Sequence, residues 1–214
     1  TLEKRWRGLL RADDRSKAFH GTGDREINGT YEVALTAEAD SRPIAQLPKT
    51  APVPPVVQYA YRSFDRQAII ADGRLMSRPR PDLWRAHGKR QVYLTSLFSQ
   101  PLWRGPALTS CAAIPDLDHF RGSYGAKAAI PLYRNAEATE ANILRGVLDL
   151  LTKTYKRKVT PEDFLAYVYG LLAQPAFTAR HAKELETREL RVPITKHAAL
   201  FAKVSDAGAR LLWL

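Results

Sequence analysis

The chain has 214 residues, 45% of them hydrophobic and 26% charged; 33 Lys and Arg against 22 Asp and Glu give a formal net charge of +11. This composition excludes a disordered or disulfide-stapled chain and suits one ordinary domain, or one domain with a small appendage. Cys111 is the only cysteine, which excludes an internal disulfide and a cysteine-rich zinc site and fits an intracellular, cytoplasmic protein. No apolar run approaches the roughly 20 residues of a membrane span, so no membrane partner is expected. The N-terminal Thr1-Leu2-Glu3-Lys4-Arg5-Trp6 has neither an initiator Met nor a signal-peptide pattern, and the chain reads as a piece of something longer.

Leu2, Trp6, Leu9 and Leu10 predict a short helix over 2–10. The alternation Tyr31-Glu32-Val33-Ala34-Leu35-Thr36 predicts a half-buried strand. Pro43, Pro48, Pro52, Pro54 and Pro55 make 41–55 an extended linker, because proline fixes φ and removes a donor. Five short strands follow: Val56–Tyr61, Ala68–Asp72, Gln91–Leu97, Ala107–Ile114 and Ala128–Leu132. Asp72-Gly73 and Gly122-Ser123-Tyr124-Gly125 are turns between them, and Arg78-Pro79-Arg80-Pro81 is expected to be extended.

The last third is helical. Ile143, Leu144, Val147, Leu148 and Leu151 recur with helical period. Thr160-Pro161-Glu162-Asp163 supplies an N-cap, a first-turn proline and acids near the positive end of the helix dipole. Phe164, Leu165, Val168, Leu171 and Leu172 make the apolar stripe of that helix, and Pro175 stops it. Leu200, Val204 and Leu211 mark a final amphipathic helix. The fold class is therefore α+β, with a β-rich central region packed against a C-terminal helical region.

The charge is not evenly spread. Residues 62–90 hold eight basic and three acidic side chains, and so do residues 121–158; residues 1–61 hold nine against eight. Nearly the whole surplus thus lies in two blocks, as a polyanion-binding surface requires. Arg78, Arg80, Arg85, Lys89 and Arg90 form a proline-stiffened edge whose guanidinium forks suit phosphates and guanine edges. In Arg62-Ser63-Phe64-Asp65-Arg66 the favoured expectation puts Phe64 in the core and pairs Asp65 with a nearby arginine, with phosphate contact by Arg62 or Arg66 as the alternative. Trp84, Trp103 and Cys111 are expected in the core.

Several chemistries lack their residues. The chain has no GxxxxGK[ST] phosphate loop, no GxSxG elbow, no HExxH and no Asn/Asp-Pro-Pro-aromatic tetrapeptide of the kind adenine-amino methyltransferases use. In Asp116-Leu117-Asp118-His119 two carboxylates and an imidazole suggest a metal-dependent nuclease, but no further ligand group stands near them in sequence. The favoured alternative is a loop in which Asp caps a turn and His119 contacts backbone or DNA.

The ordered series Tyr59-Ala60-Tyr61-Arg62-Ser63-Phe64-Asp65-Arg66-Gln67, Asp72-Gly73-Arg74-Leu75-Met76-Ser77-Arg78-Pro79-Arg80-Pro81-Asp82-Leu83-Trp84, Gly105-Pro106-Ala107, Ile114-Pro115-Asp116-Leu117-Asp118-His119-Phe120 and Ile130-Pro131-Leu132-Tyr133 resembles the C-terminal specificity domain of type ISP restriction–modification enzymes. The match continues through Asp163-Phe164-Leu165-Ala166-Tyr167-Val168-Tyr169-Gly170, Phe177-Thr178-Ala179-Arg180 and Arg191-Val192-Pro193-Ile194, so it covers residues 56–214. The resemblance implies a domain that reads an asymmetric DNA site and presents the target adenine to a methyltransferase. The parent enzymes combine it with an adenine N6-methyltransferase, a nuclease and an ATP-driven translocase.

On this reading residues 1–55 are the connector from a methyltransferase domain and 56–214 the target-recognition domain, β-rich over 56–135 and helical over 139–214. The expected partners are double-stranded DNA and the parent's methyltransferase domain. The chain alone is not an enzyme and holds no cofactor or metal; S-adenosylmethionine, with ATP and Mg, belongs to the parent. The candidate DNA-binding residues are Arg62, Arg66, Arg74, Arg78, Arg80, Arg85, Lys89, Arg90, His119, Arg121, Ser123, Tyr124 and Lys127. Lys153, Lys156, Arg157 and Lys158 are candidate phosphate contacts. The rival readings are a small nuclease using Asp116, Asp118 and His119, and a protein-docking domain with nonspecific DNA affinity.

Overall fold

A computed structural model describes residues 1–23, 25–29, 35, 42–96, 108–120, 128–185 and 191–213. In chain order its elements are helices α1 (Leu2–Arg11) and α2 (Arg15–Ala18), strands β1 (Val56–Arg62) and β2 (Asp65–Ile70), helix α3 (Pro81–Arg85), and strands β3 (Tyr93–Ser96), β4 (Leu108–Cys111), β5 (Ile114–Pro115) and β6 (Ala128–Pro131). Helices α4 (Val147–Tyr155), α5 (Pro161–Leu172), α6 (Pro175–Arg180), α7 (Ala182–Leu185) and α8 (Ala198–Trp213) complete it. The architecture is α+β, as the sequence predicts. The residues 31–34 and 36 of the first expected strand, and the 122–125 turn, lie outside the described residues. The chain divides into two units, Thr1–Tyr59 with Arg66–Arg85, and Ala60–Asp65 with Ala86–Leu214.

In the first unit α1 begins at Thr1, whose hydroxyl accepts from the Lys4 amide. It buries Trp6 and Leu10 against Ile44, Leu47 and Ile70. The proline-rich stretch is therefore not a bare linker. A single 3-10 turn, Ile44–Gln46, carries Ile44 into this core. Arg15 fixes it there: its guanidinium donates to the carbonyls of Leu10 (2.7 Å), Ile44 (2.8 Å), Ala45 (3.2 Å) and Leu47 (2.7 Å). Asp72 opens a second 3-10 turn at Gly73–Leu75 through its carboxylate, which accepts from the Arg74 amide. Trp84 is buried and stacks on Tyr59, with centroids 6.5 Å apart.

The Arg78–Pro81 stretch is not uniformly extended. Arg78 adopts a φ of 50° and Pro81 opens α3. Proline is excluded from helix interiors but suits the first turn, where its missing N–H has no partner to lose.

In the second unit β3 is the central strand of an antiparallel sheet of order β4-β3-β6, with Tyr93 opposite both Cys111 and Pro131. Leu94, Leu108, Phe120, Leu132 and Tyr133 from this region form one core with Leu165, Leu172 and Leu185 from the helices. Gln91 ties the sheet to the following segment: its side-chain amide donates to the carbonyls of Ala86 (2.6 Å) and Tyr133 (2.8 Å), and its side-chain oxygen accepts from the Tyr133 amide (3.0 Å). Cys111 is buried in β4.

Helix α5 has the capping box that its sequence announces, Thr160 and Asp163 each bonding the other's backbone amide. It crosses α8 so closely that Gly170 and Gly208 leave room for each other's backbone. Alongside, Tyr155, Tyr167 and Phe201 stack into a second core cluster. The buried residues of α8 are Phe201, Ser205 and Gly208; of the expected stripe Val204 packs half-buried on the same cluster, whereas Leu200 and Leu211 are exposed. Leu144 is exposed as well, because α4 starts three residues later at Val147, behind a left-handed Gly146. Among the described residues no helix is long and apolar enough to cross a membrane.

Candidate nucleic-acid interface

Strands β1 and β2 are joined by the two-residue turn Ser63-Phe64. Phe64 is not in the core: at the tip of this hairpin it is completely exposed, at 103% of its reference surface. A residue at a two-residue turn lies beyond the paired ends of both strands, and among the described residues nothing covers the Phe64 ring. Its neighbours are firmly held. The Arg62 guanidinium donates to the Asp116 carboxylate at 2.8 Å and lies 4.0 Å over the ring centre of Tyr61. The Ser63 hydroxyl donates to the His119 carbonyl at 2.9 Å. The Asp116 amide donates to the Ala60 carbonyl at 2.9 Å, where β5 joins the sheet as neighbour of β1.

This anchoring accounts for Asp116, Asp118 and His119. Asp116 accepts both Arg62 and the Asp118 amide (3.0 Å). The His119 ring is buried, with Nδ1 3.0 Å from the Ala60 carbonyl. Among the described residues no three His, Cys, Asp or Glu side chains gather as a metal site would require. Asp116 and His119 brace the hairpin at Arg62, Ser63 and Ala60, and the Asp118 amide orients Asp116.

The candidate cations fall into three conditions. Arg74 is buried and committed: it pairs with Asp72 at 2.5 Å and also donates to the Arg42 carbonyl. It holds the fold and is not offered to a ligand. Arg85 is exposed but paired with Asp82 one helical turn back, and Arg90 is engaged by Glu162 at 2.5 Å. Arg66, Arg78 and Lys89 are exposed, and Arg80 is half-buried. Arg121, Ser123, Tyr124 and Lys127 lie outside the described residues.

A further cluster stands at the C-terminal end of α4. Lys153, Lys156, Arg157 and Lys158 are all exposed. Lys156 takes the left-handed conformation that ends the helix, with φ 53°. The Arg157 guanidinium stands 5.8 Å over the Phe201 ring, which fixes one cation of the four. Cations here also favour the negative end of the α4 dipole, so part of their placement is structural.

Beside Arg90 lies one perturbed network. Glu162 accepts from the Tyr133 hydroxyl at 2.5 Å and from Arg90. Burial, and then the neighbouring Glu162 carboxylate, push the Tyr133 phenol up to about 12. Burial raises the Glu162 carboxyl, but the bonds from Tyr133 and Arg90 outweigh it and the net shift is downward. No proton leaves this network near neutral pH, so it serves to hold Arg90 against α5.

The profile of the family described as Type ISP C-terminal specificity domain matches residues 1–214. No curated protein matches the chain. A solved structure described as a cryo-EM structure of a DrdV–DNA complex is similar, with a TM-score of 0.58 and 21% identity over 98% of this chain and 20% of that one. The likeness is one of fold, and this chain spans a fifth of the length of that relative.

Proposed function

The chain belongs to the Type ISP C-terminal specificity domain family, and from that premise we propose that it reads base sequence in double-stranded DNA for a larger restriction–modification enzyme. The match along all 214 residues carries this reading. Two features support it: the net charge of +11, and the buttressed hairpin with an exposed aromatic tip. The structural relative is described in complex with DNA. Catalysis belongs to the parent, an adenine N6-methyltransferase that uses S-adenosylmethionine, with or without a nuclease and an ATP-driven translocase. The work is done in the cytoplasm, with DNA and the parent's methyltransferase domain as partners.

The roles divide by chemistry. Lys153, Lys156, Arg157 and Lys158 contact phosphates, since an exposed cluster of point charges carries no sequence information. Arg78, Arg80 and Arg85 lie on a stiffened edge and are the candidates for base contacts, one good guanidinium fork being worth about 1–3 kcal/mol of discrimination. Phe64 joins them as an apolar contact; wedges of this kind stack on or between base steps.

Selection from a random duplex library tests the reading. The purified chain should enrich one asymmetric site, and its binding should weaken steeply with salt. Binding without enrichment would leave only a nonspecific DNA surface, and no binding at low salt would overturn the proposal.

A further inference from the structure

Summed over residues 1–61, charge nearly cancels, and that sum conceals a local excess. Residues 1–11 carry Lys4, Arg5, Arg7 and Arg11 against Glu3 alone. On α1 the apolar face is spent on Trp6 and Leu10, and Arg7 and Arg11, four residues apart, share a different face. That face forms one wall of a groove of 520 Å³. Lys49 and Thr50 form the opposite wall, in a turn closed by the bond from the Ala51 amide to the Pro48 carbonyl at 3.0 Å. Residues 51–53 make the floor, with Ala51 and Val53 packed on the core beneath α1.

Both walls are held in place. Arg15 bonds the Leu10 carbonyl on α1 and the Ile44, Ala45 and Leu47 carbonyls just before the turn, so one guanidinium ties the two walls together above the core they share. Arg7, Arg11 and Lys49 are exposed, and among the described residues none of them is in an ion pair. Among the described residues no acid lines the groove; Glu3 lies in the adjoining hollow, together with Lys4. Three cations converging from two elements repel one another unless an anion lies between them. The described lining offers no aromatic ring for base stacking and no carboxylate or side-chain amide for a base edge.

From this geometry we infer that the α1 groove, between Arg7 and Arg11 on one side and Lys49 on the other, is a sequence-independent site for the sugar–phosphate backbone of DNA. The inference rests on the DNA-binding reading and adds a contact surface in residues 1–55, outside the recognition region. The groove is open to solvent, as a continuous polyanion requires. It tightens binding to any sequence equally.

The test uses the full chain and a fluorescent random duplex, with anisotropy measured across a salt series. Each lost phosphate contact reduces the slope of log affinity against log salt by about 0.9. Arg7→Gln, Arg11→Gln and Lys49→Gln together should therefore flatten it by roughly 2.7, with an unchanged melting temperature. Arg7→Lys with Arg11→Lys should retain the slope, because phosphates require charge there and not a fork. A parallel variant, Lys156→Gln with Arg157→Gln and Lys158→Gln, reports on the other cluster. If the wild type and the α1 variant bind with the same slope while the Lys156 cluster variant flattens it, the groove proposal is overturned and the DNA reading stands. If the wild type shows no salt-dependent binding to any duplex, both fall.

Discussion

Gly208 of α8 lies directly against the carbonyl oxygen of Ala166 on α5, and a Cβ at that position would collide with it; one on Gly170 would stand 2.8 Å from the Val204 carbonyl. Gly208→Ala should therefore destabilise the chain in urea unfolding, by about 1–3 kcal/mol or more, because the obstacle is backbone and cannot swing aside. Helix propensity pushes the other way by about 1 kcal/mol. Gly8→Ala isolates that term: nothing lies within 4 Å of its Cβ, so it should stabilise α1 by up to about 1 kcal/mol. Equal effects at the two sites would refute the close crossing.

Leu172 is fully buried and Leu211 is 43% exposed. Leu172→Ala should cost about 2–5 kcal/mol, the usual range for emptying a core site. Leu211→Ala should stay within about 0.5 kcal/mol of wild type, as surface substitutions do. A large loss at Leu211 would mean that α8 is turned the other way.

Arg66 lies in β2 and Arg74 in the 3-10 turn that follows it, yet they differ in kind. Arg74→Ala removes one half of a buried pair and leaves Asp72 charged without its partner; about 3–5 kcal/mol is expected. Arg66→Ala removes an exposed side chain and should hardly move the unfolding midpoint, while weakening DNA binding. A thermal melt and a binding isotherm on both variants settle the division.

The Tyr133–Glu162 pair makes stability depend on pH at both extremes. Tyr133 is raised to about 12 from an ordinary 10, so the folded chain keeps its proton where the unfolded chain loses it. The stability that this contributes is complete below pH 10 and lost as pH rises from 10 toward 12. Glu162 is shifted downward, so its contribution is present above its ordinary 4.5 and lost as pH falls below that. Tyr133→Phe should remove the alkaline loss and weaken the acidic one, as followed by urea midpoints across pH.

Phe64 separates binding from folding. Fully exposed, it contributes nothing to the core, and Phe64→Ala should leave the melting temperature unchanged. A wedge on the bases should show as at least a tenfold loss of affinity for the enriched site, about 1.4 kcal/mol, with a smaller loss on random duplex. Loss of solubility without loss of affinity would assign the ring to a protein contact.

The elements that sequence predicts well are those whose cues are local. Thr160, Pro161 and Asp163 contain the whole start of α5, and Asp72-Gly73 contains its turn. The expectations that failed depend on where a residue stands relative to distant chain. Phe64 is a strand-like aromatic by type, but it falls in a two-residue turn and stands exposed. Leu200 and Leu211 satisfy a helical period as well as Phe201 and Gly208 do; only the close approach of α5 decides which stripe is buried. The cations of residues 62–90 look alike in sequence, and Arg74 is set apart by its burial and by the Asp72 carboxylate folded against it. The α1 groove was hidden by summing charge over a window wider than a helix.

Gln91 has a consequence for which replacements the chain tolerates. Its carboxamide gives the Tyr133 backbone an acceptor and a donor together and still reaches the Ala86 carbonyl, so one side chain stands in for a missing peptide group. Glutamate matches its shape but sets an oxygen, where the amide nitrogen stood, against two carbonyls; leucine matches its volume but brings no polar atom. In a saturation library scored for folded protein, position 91 should therefore be intolerant even of its isostere, a pattern seldom associated with an uncharged polar residue outside an active site.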